Sequence, residues 1–344
     1  MRKLQPVYLP SHSMRRFPFL SSFFLLAIAI ALSLVIGSVT IPLKEIFATL
    51  HGNGTDLAAN ILWNIRLPRA VLIVLTGMAL GGSGAAYQGL FRNPLADPFL
   101  IGISAGAGLG AVLAMTVRWP YSFWGLIAVP LAAFLFGLLT VAVVYFLARV
   151  GQTTPVTNLI LAGVAVSAFA TSLMSFLMLR SDGELRRAMS WLMGGSIQLG
   201  WSFTFAILPY LLLGLGVLIF SGHALNLLQF GDEQAQQLGL DVTRAKRIIL
   251  ISASLATAAA VAFSGIIGFV GLIVPHLTRL WFGPDYRRLL PLSILGGATI
   301  LLLSDVVARV ALAPQELPVG VVTALAGAPF FLWVLRRSKN QGYW

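Results

Sequence analysis

The sequence contains no cysteine. Disulfides, thiolate metal sites and cysteine nucleophiles are therefore excluded, and the redox compartment stays open. Charge is scarce too: 10% of the 344 residues are Asp, Glu, Lys or Arg, against roughly a quarter in a soluble domain. The chain thus lacks the polar surface to face water on all sides. Alternating strand patterns are missing as well. No glycine-rich phosphate loop, no His/Asp/Glu cluster with metal or catalytic spacing and no Ser-His-Asp grouping occurs. A membrane-embedded enzyme would need such a set.

What remains is apolar. Hydrophobic residues make up 58% of the chain, and the mean hydropathy is +0.89. Apolar runs recur at 19–38, 70–90, 98–117, 122–147, 158–179, 202–220, 248–264, 266–283, 290–311 and 319–335. A span needs about 20 residues for a ~30 Å hydrocarbon core. Unpaired backbone is too costly in lipid for anything but helices here. The expected fold is therefore all-α, a polytopic integral membrane protein with ten transmembrane helices. Residues 1–344 form a single transmembrane domain. The seventh and eighth runs are short, joined through Ser264, Gly265 and Gly268, and the eighth is interrupted by Pro275.

The first run follows Met1, Arg2, Lys3, Arg15 and Arg16. It is longer than the apolar core of a secretory signal, so it reads as a retained helix behind an N-terminal tail, 1–18. The net charge of +12 sits in short clusters between apolar runs, a topology pattern and not a nucleic-acid surface. With the N-terminus inside, 15 of the 23 Lys and Arg fall on the inner side and 8 on the outer. That bias predicts a multi-pass protein of the cytoplasmic membrane with both termini cytoplasmic.

Small residues cluster in Gly81-Gly82-Ser83-Gly84-Ala85-Ala86 and Ser104-Ala105-Gly106-Ala107-Gly108. Such residues let membrane helices approach closely. Four polar segments stand apart. Arg66-Leu67-Pro68-Arg69 puts two guanidiniums on the outer side, where they either snorkel to lipid phosphates or receive carboxylates from a partner. Arg92-Asn93-Pro94-Leu95-Ala96-Asp97-Pro98 holds two prolines in a tight inner loop, either a plain turn or a rigid constriction. The long inner segment 221–247 reads as a solvated connection or a partner surface. Within it, Asp232 would cap a short helix through Leu238, stopped by Gly239. Asp305 and Arg309 lie at i and i+4 in the ninth span, on one face, where they neutralise each other. His276 reads as a hydrogen-bonded packing residue and not a metal ligand.

These segments resemble the FecCD-type ABC importer permeases, the family that moves iron-siderophores, haem and vitamin B12. The resemblance rests on Arg66-Leu67-Pro68-Arg69, Ser83-Gly84, Gln88, and Arg92-Asn93-Pro94-Leu95-Ala96 with Pro98. Trp191-Leu192-Met193-Gly194-Gly195-Ser196, Gly268 through His276 with Arg279, Leu317-Pro318-Val319-Gly320 and Gly327-Ala328-Pro329 extend it. It covers the chain from about residue 20 to the C-terminus.

The resemblance implies a permease that is not itself an enzyme and binds no cofactor. ATP and Mg would sit on two partner ATPase subunits. It also implies a second permease subunit, as a homodimer, and an external substrate-binding protein; lipid surrounds the assembly and nucleic acid has no part in it. Arg66, Arg69 and Arg309 match docking positions for the binding protein. Asn93 and Leu95 match a cytoplasmic gate, with Val156 and Thr157 as its second element. The segment 221–247 matches the ATPase coupling loop, with Asp232, Gln236, Gln237, Leu238 and Gly239 at its contact. The expected cargo is an Fe(III)-siderophore or a similarly bulky metal chelate, with cobalamin or haem as the alternative. A secondary transporter would need an intramembrane acid for ion coupling, and Asp305 is the candidate.

Overall fold

The computed structural model describes residues 17–117, 123–151, 153–180, 185–195 and 200–339. Most of the predicted tail 1–18, together with Arg118, Gln152 and Ser196, lies outside the described residues. The chain begins with α1 (Pro18–Val35), α2 (Leu43–Leu50) and α3 (Asp56–Asn60), and α3 runs through a π-helical turn, Ile61–Arg66, into α4 (Leu67–Leu90). A 3-10 turn, Pro98–Ile101, precedes α5 (Ile103–Met115), α6 (Phe123–Ala148) and α7 (Val156–Leu179). Then follow α8 (Leu185–Leu192), α9 (Trp201–Phe220), α10 (Gly222–Leu228) and α11 (Asp232–Gln237). The last four are α12 (Val242–Ser264), α13 (Val270–Phe282), α14 (Tyr286–Val310) and α15 (Val319–Lys339). No strand occurs among the described residues.

Among the described residues, seven helical stretches are long and apolar enough to cross a membrane, and α5, α13 and the Val319–Val334 part of α15 are shorter apolar helices. Together they account for the ten predicted runs. The boundaries differ where polarity misleads. α12 starts at Val242 and not at 248, because Arg244, Lys246 and Arg247 in its first turns are helical but not apolar. α2, α3 and α8 were not visible as apolar runs, being 8, 5 and 8 residues long.

Local chemistry explains several ends. Pro68 has no N–H to donate and crowds the carbonyl four residues back. The helix answers with one wider turn, in which Leu67 N–H bonds Leu62 O. The side chains of Asp97, Asp241 and Asp285 accept from Phe99, Arg244 and Arg287 N–H at 2.8, 2.9 and 3.0 Å, starting the 3-10 turn, α12 and α14. Asp232 departs from expectation. The cap of α11 is Gly231, at φ 102°, and Asp232 is the first helical residue, its carboxylate bonded to Lys246 instead. Gly239 (φ 88°) ends that helix as predicted, with Leu240 N–H returning to Ala235 O at 3.0 Å.

The packing axis is α4, which contacts α14, α12, α13 and α9 and is buried along most of its length. Contact is backbone to backbone. A Cβ at Gly297 would lie 2.1 Å from Gly77 O, and one at Gly84 would lie 1.9 Å from Gly271 O. The predicted role of the small-residue runs in tight packing is realised here. By contrast α1 and α7 stand at the periphery with most of their surface uncovered.

Gly84→Ala forces α4 and the start of α13 apart and is expected to cost about 1–3 kcal/mol, as overpacked cores do. Gly137→Ala is the control, because its Cβ would meet nothing nearer than 3.5 Å. Thermal unfolding in detergent should show a lower midpoint for the first variant and the parent's midpoint for the second.

Candidate functional site

The predicted functional residues gather at the two ends of the bundle. At one end α1 finishes, α4 starts and α14 finishes, which brings Arg66, Arg69 and Arg309 together. Of these three docking positions implied by the resemblance, Arg66 and Arg309 are enclosed. Arg66 is 5% exposed. Its guanidinium donates to Leu34 O at 2.6 Å, Val35 O at 3.0 Å and Val39 O. These include carbonyls left unpaired at the C-terminus of α1, where the helix dipole also favours a cation.

Arg309 is 3% exposed and donates to Ser33 O at 3.1 Å and Ser33 Oγ at 2.8 Å. Its Nε lies 3.0 Å from Asp305 Oδ2 as an ion pair. The predicted i, i+4 pairing is therefore present. Asp305, fully buried, has a second cation that spacing did not reveal: Arg69 Nη2 and Nε reach its Oδ1 at 2.9 and 3.1 Å. Arg69 Nη1 meanwhile donates to Glu316 Oε2 at 2.6 Å.

Three guanidiniums and two carboxylates thus tie α1, α4, α14 and the segment before α15 into one cluster. Of this group, Arg69 and Glu316 line an open cavity of about 190 Å³, whose walls include Ser190, Gly194, Gly195 and Pro318. Glu316 was missed by sequence reasoning. Its one signal was an acid directly before Leu317-Pro318-Val319-Gly320, and nothing in the spacing linked it to Arg69, 247 residues away.

At the opposite end, Arg92 adopts φ 50° and the chain turns sharply. Asn93 Oδ1 accepts from Leu95 N–H at 2.9 Å, and Ala96 N–H bonds Asn93 O at 3.1 Å. The 3-10 turn that follows packs on α7, where a Cβ at Gly163 would lie 2.3 Å from Leu100 O. Val156 and Thr157, the second predicted gate element, open α7, two turns before Gly163. Val156 is half-buried and Thr157 exposed.

The segment 221–247 folds as α10, α11 and the start of α12. Gln236, Gln237, Leu238 and Gly239 form a continuous exposed patch, while Ala235 anchors it inside. Two polar contacts hold α10 in place. Gln229 Nε2 donates to Gly89 O at 3.0 Å, and Asn226 joins Asp285 and Tyr286, donating to Asp285 Oδ1 at 2.6 Å and accepting from Tyr286 N–H at 2.9 Å. Nearby, Arg279 donates to Gln88 Oε1 at 3.2 and 3.1 Å and to Tyr286 OH at 3.2 Å. His276 packs edge-on against Phe330, ring centroids 6.3 Å apart. Among the described residues no three His, Asp or Glu side chains converge as a metal site.

The Asn226 hydrogen bond, with that of Arg287 N–H, pulls the Asp285 carboxyl down to about 2. A depressed folded-state value stabilises above the ordinary carboxylate range, and the gain is lost as pH falls through about 2. The difference in thermal midpoint between parent and Asn226→Ala should therefore stay constant from about pH 8 to pH 5 and shrink only in more acid solution. A difference that changes above pH 5 contradicts this clasp.

Residues 25–337 match the FecCD transport family. The cobalamin import system permease of Halobacterium salinarum is 46% identical over 289 residues, covering 84% of this chain and 77% of that one. The hemin transport system permease of Yersinia pestis is 43% identical over 328 residues, covering 92% and 96%. A solved metal-chelate type ABC transporter, in an inward-facing conformation, superposes with a TM-score of 0.81 at 33% identity, covering 92% of this chain and 98% of that one. With ten apolar helices among its described residues and this family match, the chain belongs to the FecCD transport family and is a multi-pass membrane permease of an ABC importer.

Proposed function

We propose that this permease moves an Fe(III)-siderophore or a similarly bulky metal chelate across the cytoplasmic membrane as one half of a homodimer. Two ATPase subunits would drive it and an external binding protein would deliver the cargo. The observation that carries this reading is the exposed patch Gln236–Gly239 on a compact helical loop. A chain with no phosphate loop needs such a surface to receive energy. ATP and Mg then sit on the partners, and this chain binds no cofactor and catalyses no reaction. The charge bias of its loops puts the Arg92 end and both termini in the cytoplasm and the Arg66 end outside. Asn93, Leu95, Val156 and Thr157 are the cytoplasmic gate, the first pair just before the 3-10 turn that packs on α7 and the second pair at the start of α7.

A secondary transporter is disfavoured by Asp305. Two arginines occupy its carboxylate, so it is not open to a coupling ion. Cobalamin or haem is the second reading, favoured by the cargo named for the two relatives above.

Uptake into proteoliposomes carrying the permease, its ATPase and its binding protein tests the proposal. Ferric siderophore, cobalamin and hemin would be compared with and without ATP. ATP-dependent siderophore uptake is expected, and replacing Gln236–Gly239 with a Gly/Ser linker should abolish it without unfolding the bundle. Uptake that continues without an ATPase, or survives the linker, overturns the reading.

Docking rests on Arg69, the arginine that reaches a cavity, with Arg66 and Arg309 holding the surrounding helix ends in place. Glu316 competes for it. Glu316→Gln should speed association of the binding protein with nanodisc-embedded permease and steepen its salt dependence, and Arg69→Gln should do the reverse. Equal rates and salt slopes for parent and both variants would rule out docking at this site.

A further inference from the structure

A cavity of about 270 Å³ separates the start of α7 from the start of α12. Val156 and Leu159 line one wall, and Val242, Thr243 and Leu250 line the other. α7 packs on α5, α6 and the 3-10 turn, while α12 packs on α6, α9 and α4. The gate segment and the coupling segment therefore share a neighbour, α6, and face each other across a void. Apolar contact transmits little across a gap, because dispersion falls off steeply with separation. Polar side chains that span the gap carry displacement better.

Such a chain exists. Asp232, at the first turn of α11, pairs with Lys246 of α12. The next residue, Arg247, donates from Nε to Tyr145 OH at 3.3 Å, which reaches α6. Tyr145 lines the same cavity as Thr153 and Thr154. Thr154 is separated from Val156 by Pro155 alone, whose ring restricts φ and makes this short linker stiff. All of these side chains border the same cavity, which leaves the segment 153–157 room to move.

We propose that Arg247 and Tyr145 are positioning residues that link α11 to the gate segment 153–157, with the Asp232–Lys246 pair as the releasable joint on the α11 side. This rests on the reading of α11 as the ATPase contact. Asp232 is about half exposed and Lys246 mostly buried, so solvent screens the pair and lets it open and re-form as α11 shifts. The Arg247–Tyr145 bond joins α12 to α6 beside the gate segment, so that segment follows the position α12 takes.

The chain has no cysteine, so Thr157→Cys creates a single thiol at the gate. In nanodiscs with the ATPase bound, its labelling rate by a water-soluble maleimide is measured with and without a non-hydrolysable ATP analogue. Nucleotide should change the rate in the Thr157→Cys parent. Adding Tyr145→Phe or Arg247→Gln should reduce that change, and cargo moved per ATP hydrolysed should fall by about 2- to 30-fold, the range of couplings carried by such networks. Asp232→Lys should act likewise and be rescued by Lys246→Asp in the same chain, which a loss of packing alone would not allow.

A nucleotide response in Tyr145→Phe and Arg247→Gln equal to the parent's overturns the link while leaving α11 as the ATPase contact. An ATPase that stays bound, with unchanged nucleotide response, when Gln236–Gly239 is replaced overturns that contact and the link with it.

Discussion

Backbone groups in a bilayer have no water to bond, so every span must satisfy itself as a helix and gain its tertiary stability from close contact. In this permease the contact is most intimate along α4. Its glycines meet the carbonyls of α14 and α13 with no side chain between them. Each neighbour is located by reference to α4: α14 brings Asp305 and Arg309 to one end, and α13 and α14 bring Arg279 and Tyr286 to the other. Move α4 outward by one methyl group and both polar assemblies lose their geometry.

The two ends use charge differently. At the Arg66 end, Arg66, Arg309 and Asp305 are withdrawn from solvent and held by partners. Arg66 finishes α1 by taking its unpaired carbonyls, and Asp305 is held between two guanidiniums. Removing one member of such a buried set leaves an uncompensated charge, which costs far more than the set contributes against an apolar replacement. This is a fastening, and it narrows the accessible chemistry to Arg69 and Glu316. At the Arg92 end, Asp232, Lys246, Arg247 and Tyr145 are partly exposed, joined by one ion pair and one hydrogen bond, and set around a void. One end is built to hold its shape and the other has room to change it.

Much of the fold was legible in the sequence, because the length and polarity of an apolar run report directly on a helix that must cross lipid. The ten runs correspond to the seven long and three shorter apolar helices. The i, i+4 pairing of Asp305 with Arg309 and the stop at Gly239 were equally local and equally readable. Short helices such as α8, and the polar first turns of α12, escaped because hydropathy measures solvent preference and not hydrogen bonding. The family signature placed the candidate residues at the two ends, where the structure finds them.

What the sequence could not determine was which charges face outward. Arg66, Arg69 and Arg309 have the same chemistry, and nothing in their spacing says that two are enclosed and one borders a cavity. That difference arises because α1 ends beside Arg66 and Arg309, offering carbonyls and Ser33, while Glu316 approaches Arg69 from 247 residues away. The same holds for Lys246 and Arg247, which read only as topology signals until folding sets them beside Asp232 and Tyr145. The sequence by itself determined the helices and their polarity, since these follow from local composition and the solvent. Partnership among charges on different helices was decided by tertiary structure alone, because such a salt bridge forms where helix ends converge in space, and convergence depends on packing far along the chain.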